Sequence, residues 1–173
     1  VISPVSEDRE SVLFFLTHEV LAGAGCTGSE VSNFAREGHR SRHYQTYWNH
    51  TPYLGLGPSA HSWADGSRWW NLRKVRLWQR SVDSDRVPVE GHERPTGSEL
   101  AFEALMLGLR TECGVDLDRV RELFDVDLLP ANAAAISGMV DNGFLVFDEG
   151  VIRPTLRGMA VADTLARTFA LPD

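Results

Sequence analysis

A histidine set among arginine and aromatic residues is the part of this sequence best suited to chemistry. The run Ser41-Arg42-His43-Tyr44-Gln45-Thr46-Tyr47-Trp48 places one imidazole beside a guanidinium and three aromatic rings. Imidazole can ligate iron, aromatic faces stack on planar rings, and arginine binds carboxylates in a bidentate fork. Together these properties suit a porphyrin with propionates. A surface histidine among packed aromatic side chains explains the same residues, and composition alone favours that simpler interpretation.

Three other patterns contain residues that could do chemistry, but the neighbouring sequence lacks what each kind of site requires. Gly55-Leu56-Gly57-Pro58-Ser59-Ala60 has the glycine spacing of a dinucleotide site, but a turn is predicted for 61–66, where that site needs a helix. A tight turn is therefore the favoured interpretation of the two glycines, and a glycine-lined backbone that approaches a ligand is the alternative. Ser59, His61 and Asp65 lack the strand–turn–helix frame of a hydrolase nucleophile. The irregular spacing of the histidines gives no zinc motif.

Charge and aromatic residues are concentrated in the middle of the chain. The net charge is −7, yet residues 36–94 hold ten of the seventeen Lys and Arg and only six of the twenty-four Asp and Glu. All five tryptophans, all three tyrosines and five of the six histidines also lie there. The overall acidity argues against non-specific nucleic-acid binding. We expect the middle to bind a ligand and the acidic ends to form the scaffold.

The two cysteines, Cys26 and Cys113, are far apart and form no C-x-x-C unit. Unpaired cysteines are typical of a reducing compartment, and the beginning of the sequence lacks the features of a secretory signal peptide. The apolar runs are far shorter than the ~20 residues that span a membrane. We therefore expect a cytoplasmic protein without an integral membrane segment.

The first half is predicted to contain few regular elements. A helix capped by Ser6 should run to the glycines at 23 and 25, and a buried strand should cover Ser29–Ala35. Residues 36–52 show no periodicity and predict a long loop, and a helix is expected over about 74–82. Residues 83–95 are predicted to be a linker.

The last third has clear helix and hairpin signals. Thr96-Gly97-Ser98-Glu99 is a capping box, Asp116 should cap a short helix, and Pro130 suits the first turn of a third helix. A hairpin over 144–153 and a final helix capped by Thr155 should follow. This order predicts a winged-helix-like domain and an α+β, mostly helical fold overall. The third helix carries no Lys or Arg, so DNA reading is not expected.

Segments along nearly the whole chain resemble one known family. The matching segments are Glu30–Arg36, Gly38-His39, Ser41–His43 with Tyr47-Trp48, Tyr53–His61, Arg68–Asn71, Leu105–Arg110, Gly114–Asp116, Gly143–Leu145 and Leu156–Gly158. In these segments the sequence resembles radical-SAM proteins related to oxygen-independent coproporphyrinogen III oxidase, especially the haem-chaperone branch.

The resemblance implies that the chain corresponds to the last part of such a protein. Members begin with a barrel whose C-x-x-x-C-x-x-C motif holds a [4Fe–4S] cluster and S-adenosylmethionine, and this sequence contains no such motif. The cluster and S-adenosylmethionine are therefore expected only in a full-length protein, and the chain alone should not generate radicals. We expect final barrel elements and the basic aromatic loop over 1–62, a connecting helix and linker over 63–95, and the winged-helix-like domain over 96–173.

The resemblance also implies roles for individual residues. The haem-chaperone signature His-Asn-x-x-Tyr-Trp corresponds to residues 43–48, with Tyr44 in place of the asparagine. Its histidine is associated with haem binding, so His43 is the expected iron ligand, with Tyr47 and Trp48 supporting the pocket. The propionates are expected near Arg42 or Arg40. A strand of the related enzymes that approaches the adenine of S-adenosylmethionine corresponds to Phe34 and Ala35.

Other functions stay open. The same segment could shape the substrate pocket of a coproporphyrinogen dehydrogenase-like enzyme or a radical-SAM methyltransferase. A winged-helix interaction module that binds no haem is a third hypothesis. The expected partners are haem or porphyrin and a haem-receiving protein. Because the first helix and strand lack neighbours to pack on, we also expect exposed apolar surface and self-association.

Overall fold

The computed structural model describes residues 5–48 and 50–171, apart from the side chains of Tyr44, Gln45 and Trp48. It begins with the predicted helix, α1, over Glu7–Gly23. Ser6 is its N-cap residue, but no side-chain hydrogen bond caps the helix; the main-chain N–H of Glu10 donates to the Ser6 carbonyl instead. None of the residues of α1 is buried, and several apolar side chains on it are exposed: Val12, Leu13, Leu16 and Val20.

The predicted strand over Ser29–Ala35 is wrong as one continuous element. Two short strands, β1 (Thr27–Gly28) and β2 (Phe34–Ala35), pair in antiparallel orientation and enclose a tight turn. The buried Glu30 carboxylate accepts hydrogen bonds from the main chain and hydroxyl of Ser32 and from the Asn33 amide. Side chains that bond nearby groups in this way stabilise turns at the expense of a strand.

The predicted loop over 36–52 contains a helix, α2, at Arg42–Trp48. Contacts four residues apart hold its two turns: the Thr46 hydroxyl donates to the Arg42 carbonyl at 3.1 Å, and Tyr47 reaches His43. Such a short helix has too few apolar positions for a periodic pattern, which explains why the sequence did not predict it.

A three-stranded antiparallel sheet occupies the middle of the chain. It consists of β3 (His61–Ala64), β4 (Ser67–Asn71) and β5 (Val89–Glu93) in that spatial order, and α3 (Val75–Asp83) lies between β4 and β5 in sequence. The helix predicted at 74–82 is thus confirmed. The predicted turn at 61–66 and linker at 83–95 are wrong, because both stretches contain strands of this sheet.

The C-terminal third follows its local signals closely. The Thr96–Glu99 capping box opens α4 (Gly97–Gly108), and after β6 (Val115–Asp116) the Asp116 side chain caps α5 (Leu117–Phe124). Then come α6 (Leu129–Asp141), the hairpin β7 (Leu145–Asp148) and β8 (Val151–Pro154), and a last helix broken into α7 (Leu156–Ala160) and α8 (Ala162–Ala166). β8 pairs with both β6 and β7.

The main apolar core belongs to this last third. Its buried residues run from Ala101 to Phe169, with Leu105, Leu109, Leu128 and Ile152 inaccessible to solvent. The described residues form helices together with small antiparallel sheets, and more of them are helical than extended, in agreement with the predicted α+β class. Within the described residues, no helix is both long enough and apolar enough to cross a membrane.

Candidate functional site

The candidate site is an open cavity of about 540 Å³ between the middle sheet and α4. Its residues come from the end of α2, from one sheet face and from one side of α4, so segments distant in sequence meet there. The lining residues are Tyr47, His50, Tyr53, His61, Trp63, Arg68, Trp70, Arg73, Glu93, Glu103, Met106, Leu107 and Arg110.

Strand register explains why the aromatic residues of the sheet face the cavity. His61 lies opposite Trp70, and Trp63 lies opposite Arg68, so these cross-strand neighbours share one face. Ser62 and Trp69 form the intervening pair and belong to the other face. Trp63 is buried at 8% exposure and forms the inner part of the cavity wall.

A row of aromatic rings connects the predicted iron ligand to this cavity. The Tyr47 hydroxyl lies 3.1 Å from His43 Nε2, and the two rings meet edge to face with centroids 5.0 Å apart. Tyr47 also packs on Tyr53, with centroids 4.7 Å apart. Burial of the Tyr53 hydroxyl raises its pKa. His43 thus lies outside the lining residues and contacts them through Tyr47.

An ion pair joins the two walls of the cavity. Arg68 on β4 donates to Glu103 on α4 at 2.5 Å and to Glu93 on β5 at 2.8 Å. The His50 ring and the Arg68 guanidinium lower the pKa of the Glu103 carboxyl from 4.5 to about 2, although partial burial opposes the change. His50 Nε2 is 3.8 Å from Glu103, beyond hydrogen-bond distance, so we assign most of the lowering to Arg68.

This pKa shift makes the stability of the protein depend on pH. A carboxyl group whose pKa is depressed by folding stabilises the native state above its unfolded pKa, near 4.5, and loses that contribution as the pH falls towards 2. We expect Glu103→Gln to lower the free energy of unfolding by about 1–2 kcal/mol at neutral pH, after allowance for solvent screening.

Urea unfolding of both proteins at a series of pH values from neutral to about pH 3 tests this expectation. The difference between wild type and Glu103→Gln should shrink steadily below about pH 4.5. A difference that stays constant across this range would show that the ionised carboxylate contributes nothing to stability.

The other residues predicted to bind haem are distributed around α2. Arg42 is its first residue and is exposed; Arg40 precedes the helix and forms an ion pair with Glu112. The backbone of Trp48 ends α2, but its side chain lies outside the described part of the structure. Of the predicted haem-binding residues, the structure therefore brings together His43 and Tyr47.

Phe34 and Ala35 lie elsewhere, on β2 beside α1. The Phe34 ring meets the ring of His18 with centroids 4.7 Å apart, and Ala35 pairs with Thr27. Burial lowers the pKa of His18, whose ring packs between those of Phe14 on α1 and Phe34 on β2. Neither Phe34 nor Ala35 is among the described residues that line the cavity.

The glycine pattern at 55–60 has a structural role, as the tight-turn interpretation predicted. A β-carbon on Gly55 would overlap the main-chain oxygen of His61, and Gly57 has a φ of 102°. The Gly55 N–H donates to the buried Ser62 hydroxyl, and the Asn71 amide donates to the Gly57 carbonyl at 2.9 Å. These contacts hold the 53–57 segment against the sheet.

Most of the cavity was not predicted from the sequence. Nothing indicated that Arg68, Trp70, Glu103 and Met106 would meet, because their elements are paired only in three dimensions. One signal was available: Asp65-Gly66 both have positive φ, 50° and 69°, as a two-residue hairpin turn between β3 and β4 requires. Recognising it would have replaced the predicted turn at 61–66 with a hairpin.

The described residues contain no group of three or more His, Cys, Asp or Glu positioned to hold a metal ion. Ligation of haem iron needs only one imidazole from the protein, and His43 presents its ring on an exposed helix. The two cysteines, Cys26 and Cys113, cannot supply the thiolates of a [4Fe–4S] cluster.

Comparison with known proteins supports the resemblance seen in the sequence. Residues 96–161 match the HemN C-terminal domain family. The heme chaperone HemW of Synechocystis sp. is 43% identical over 111 residues, which make up 62% of this chain and 27% of that protein. HemW of Mycobacterium tuberculosis is 30% identical over 149 residues, 86% of this chain and 36% of the relative.

Similarity extends to a mitochondrial protein and to a solved structure. Radical S-adenosyl methionine domain-containing protein 1 of Bos taurus is 34% identical over 158 residues, 84% of this chain and 36% of that protein. Coproporphyrinogen III oxidase (HemN) from Escherichia coli, a radical SAM enzyme, superposes with a TM-score of 0.68 at 16% identity, over 95% of this chain and 41% of that one. This structural likeness establishes the fold alone. The chain spans less than half the length of these relatives.

Proposed function

Because the chain belongs to the family of proteins with a HemN C-terminal domain, we propose that it is the haem- or porphyrin-binding part of a radical-SAM haem-chaperone-like protein. The observation that carries this proposal is the His43–Tyr47 pair beside an aromatic cavity. An imidazole next to a ring-lined cleft supplies both the axial ligand and the apolar surface that a metalloporphyrin needs.

Each residue of α2 has a distinct role in this proposal. His43 would be the iron ligand, and the contact between its Nε2 and the Tyr47 hydroxyl would orient the imidazole ring. Tyr47 and Trp48 support the porphyrin. Arg42 and Arg40 interact with the propionates, and Arg40 exchanges Glu112 for a propionate.

Haemin titration followed by the Soret band tests the proposed ligand. Wild type should show a saturable shift that His43→Ala loses, because no imidazole then replaces water at the iron. His39→Ala is the matched control, since His39 is an exposed histidine on the preceding loop and should leave the shift intact. An equal shift in wild type and His43→Ala would overturn the assignment of the ligand.

The whole protein's radical chemistry belongs to a cluster domain that this sequence does not contain. There a [4Fe–4S] cluster would bind S-adenosylmethionine and supply a radical, and the present chain would contribute Phe34 and Ala35 beside the adenine. The matching sequence and the half-buried position of both residues on β2 support this assignment. The division into barrel elements, connection and C-terminal domain is part of the same proposal, but the expected boundary at residue 62 falls inside β3, and the connection contains the rest of the three-stranded sheet and α3.

A substrate-shaping domain of a coproporphyrinogen dehydrogenase-like or methyltransferase enzyme is the second candidate, favoured by the fold of the Escherichia coli enzyme. The third is an interaction module of winged-helix type, and the order α4–β6–α5–α6–β7–β8 with β8 central supports this proposal. Cytoplasmic location, a haem-receiving partner protein and self-association through α1 remain proposals.

A further inference from the structure

The cavity has two walls, one formed by a sheet face and the other by one side of a helix. On one side, the β3–β5 sheet presents His61, Trp63 and Trp70 on a single face. On the other, α4 and the turn after it present Glu103, Met106, Leu107 and Arg110, whose spacing of three, four and seven residues forms one side of a helix.

Trp70 forms a flat section of the sheet wall. Its ring lies over Gly91 of β5, where an added β-carbon would come within 2.6 Å of the indole. His61 packs on the same ring with an interplanar angle of 31° and centroids 5.7 Å apart. The absence of a side chain at Gly91 therefore lets the indole lie along the sheet, and an aromatic surface of this kind favours stacking with a planar ring.

The cationic group at the cavity edge that a ligand can reach is the guanidinium of Arg73. Arg68 is engaged by Glu93 and Glu103, and Arg110 by Asp163 at 2.6 Å. Arg73 is 76% exposed and forms only a long, exposed ion pair with Glu90, in which 3.9 Å separates its Nε from the carboxylate. Arg73 can therefore turn towards a carboxylate that reaches the edge of the cleft.

We propose that this cavity binds the macrocycle of a carboxylate-bearing tetrapyrrole by stacking on Trp70, with Arg73 pairing a carboxylate, independently of any metal. The inference rests on the proposed function and extends it, because it assigns ring binding to residues other than the iron ligand. A volume of about 540 Å³ lies within the roughly 300–1,000 Å³ typical of small-molecule sites. Tyr47 connects the cavity to the proposed iron ligand, since it lines the cavity and contacts His43.

Metal-free protoporphyrin IX is the probe that separates ring binding from iron ligation. We expect saturable binding, followed by quenching of tryptophan fluorescence, that Trp70→Leu weakens about tenfold through loss of the stacking surface. Trp69→Leu is the matched control: Trp69 is the adjacent residue on the same strand, faces the other side and should change the affinity less than about twofold.

A second pair of variants guards against misfolding of Trp70→Leu. Arg73→Glu alters an exposed side chain at the cavity edge and should weaken binding about fivefold, with a smaller effect at high salt. Arg76→Glu, an exposed residue of α3 that does not line the cavity, should leave the affinity unchanged.

The outcomes distinguish this proposal from that of the iron ligand. If His43→Ala loses the haemin shift but keeps protoporphyrin binding, ring and metal are bound by separate residues, as inferred. If His43→Ala leaves haemin binding unchanged while protoporphyrin binding depends on Trp70 and Arg73, the cavity assignment is supported. The assignment of His43 as the iron ligand is then wrong. No saturable protoporphyrin binding, or equal affinity in Trp70→Leu, Arg73→Glu and their controls, would overturn the cavity assignment.

Discussion

Replacing Gly55 with alanine should lower the free energy of unfolding by about 3 kcal/mol or more, as expected when a side chain is forced against a fixed main chain. The new β-carbon would occupy the position of the His61 carbonyl oxygen, which belongs to β3 and is not a movable side chain. The 53–57 segment would have to separate from the sheet. That separation would break the bond from the Gly55 N–H to the Ser62 hydroxyl, which is inaccessible to solvent.

Urea unfolding followed by tryptophan fluorescence measures this effect, since every tryptophan lies in the middle of the chain. Leu56→Ala is the matched control, because Leu56 is the next residue and is 84% exposed. Its truncation should change the free energy of unfolding by no more than about 0.5 kcal/mol. Similar midpoints for Gly55→Ala and Leu56→Ala would show that the segment is not held against β3 in solution.

Replacing Arg68 with methionine should have the second largest effect, a loss of about 2–3 kcal/mol. Methionine keeps much of the packing of the arginine stem but leaves the partly buried Glu103 carboxylate without its closest cation. The pKa of Glu103 should then rise from about 2 towards its ordinary value, so the variant should lose less further stability than wild type on acidification.

Arg121→Met separates the loss of a partly buried pair from the loss of any ion pair. Arg121 donates to Asp118 at 2.8 Å, but both side chains are more than half exposed. Exposed pairs of this kind contribute about 0–1 kcal/mol. If Arg68→Met lowers the free energy of unfolding no more than Arg121→Met does, the Arg68–Glu103 ion pair stabilises the protein no more than an exposed ion pair.

Local chemistry explains which elements could be predicted from the sequence. The capping box at Thr96, the Asp116 cap, the first-turn Pro130 and the 145–154 hairpin all depend on residues close together in the chain. Each was predicted within a few residues of its observed position. The final helix was predicted as one piece, but it breaks at Val161, whose φ of −127° is not helical.

Non-local pairing explains what could not be predicted. Trp69 pairs with His92 across an intervening helix, so β5 shows no hairpin signal of its own and was predicted to be a linker. The cavity depends on that pairing and on the position of α4 opposite the sheet. His43 and Tyr47 could be identified because both lie in one short helix, whereas Trp70 and Met106 meet only after the chain folds.

The main apolar core is confined to residues 101–169. The molecule therefore consists of a well-packed C-terminal part and a preceding part that packs on it with fewer buried apolar side chains. One cavity wall, α4, packs into that core through Leu105 and Leu109. The opposite wall is a small sheet, and the Arg68–Glu103 ion pair links this sheet to α4. Substitutions of sheet residues other than Arg68 can therefore reshape the cleft without disturbing the core. With this arrangement, related proteins can evolve to bind different ligands while they keep the same fold.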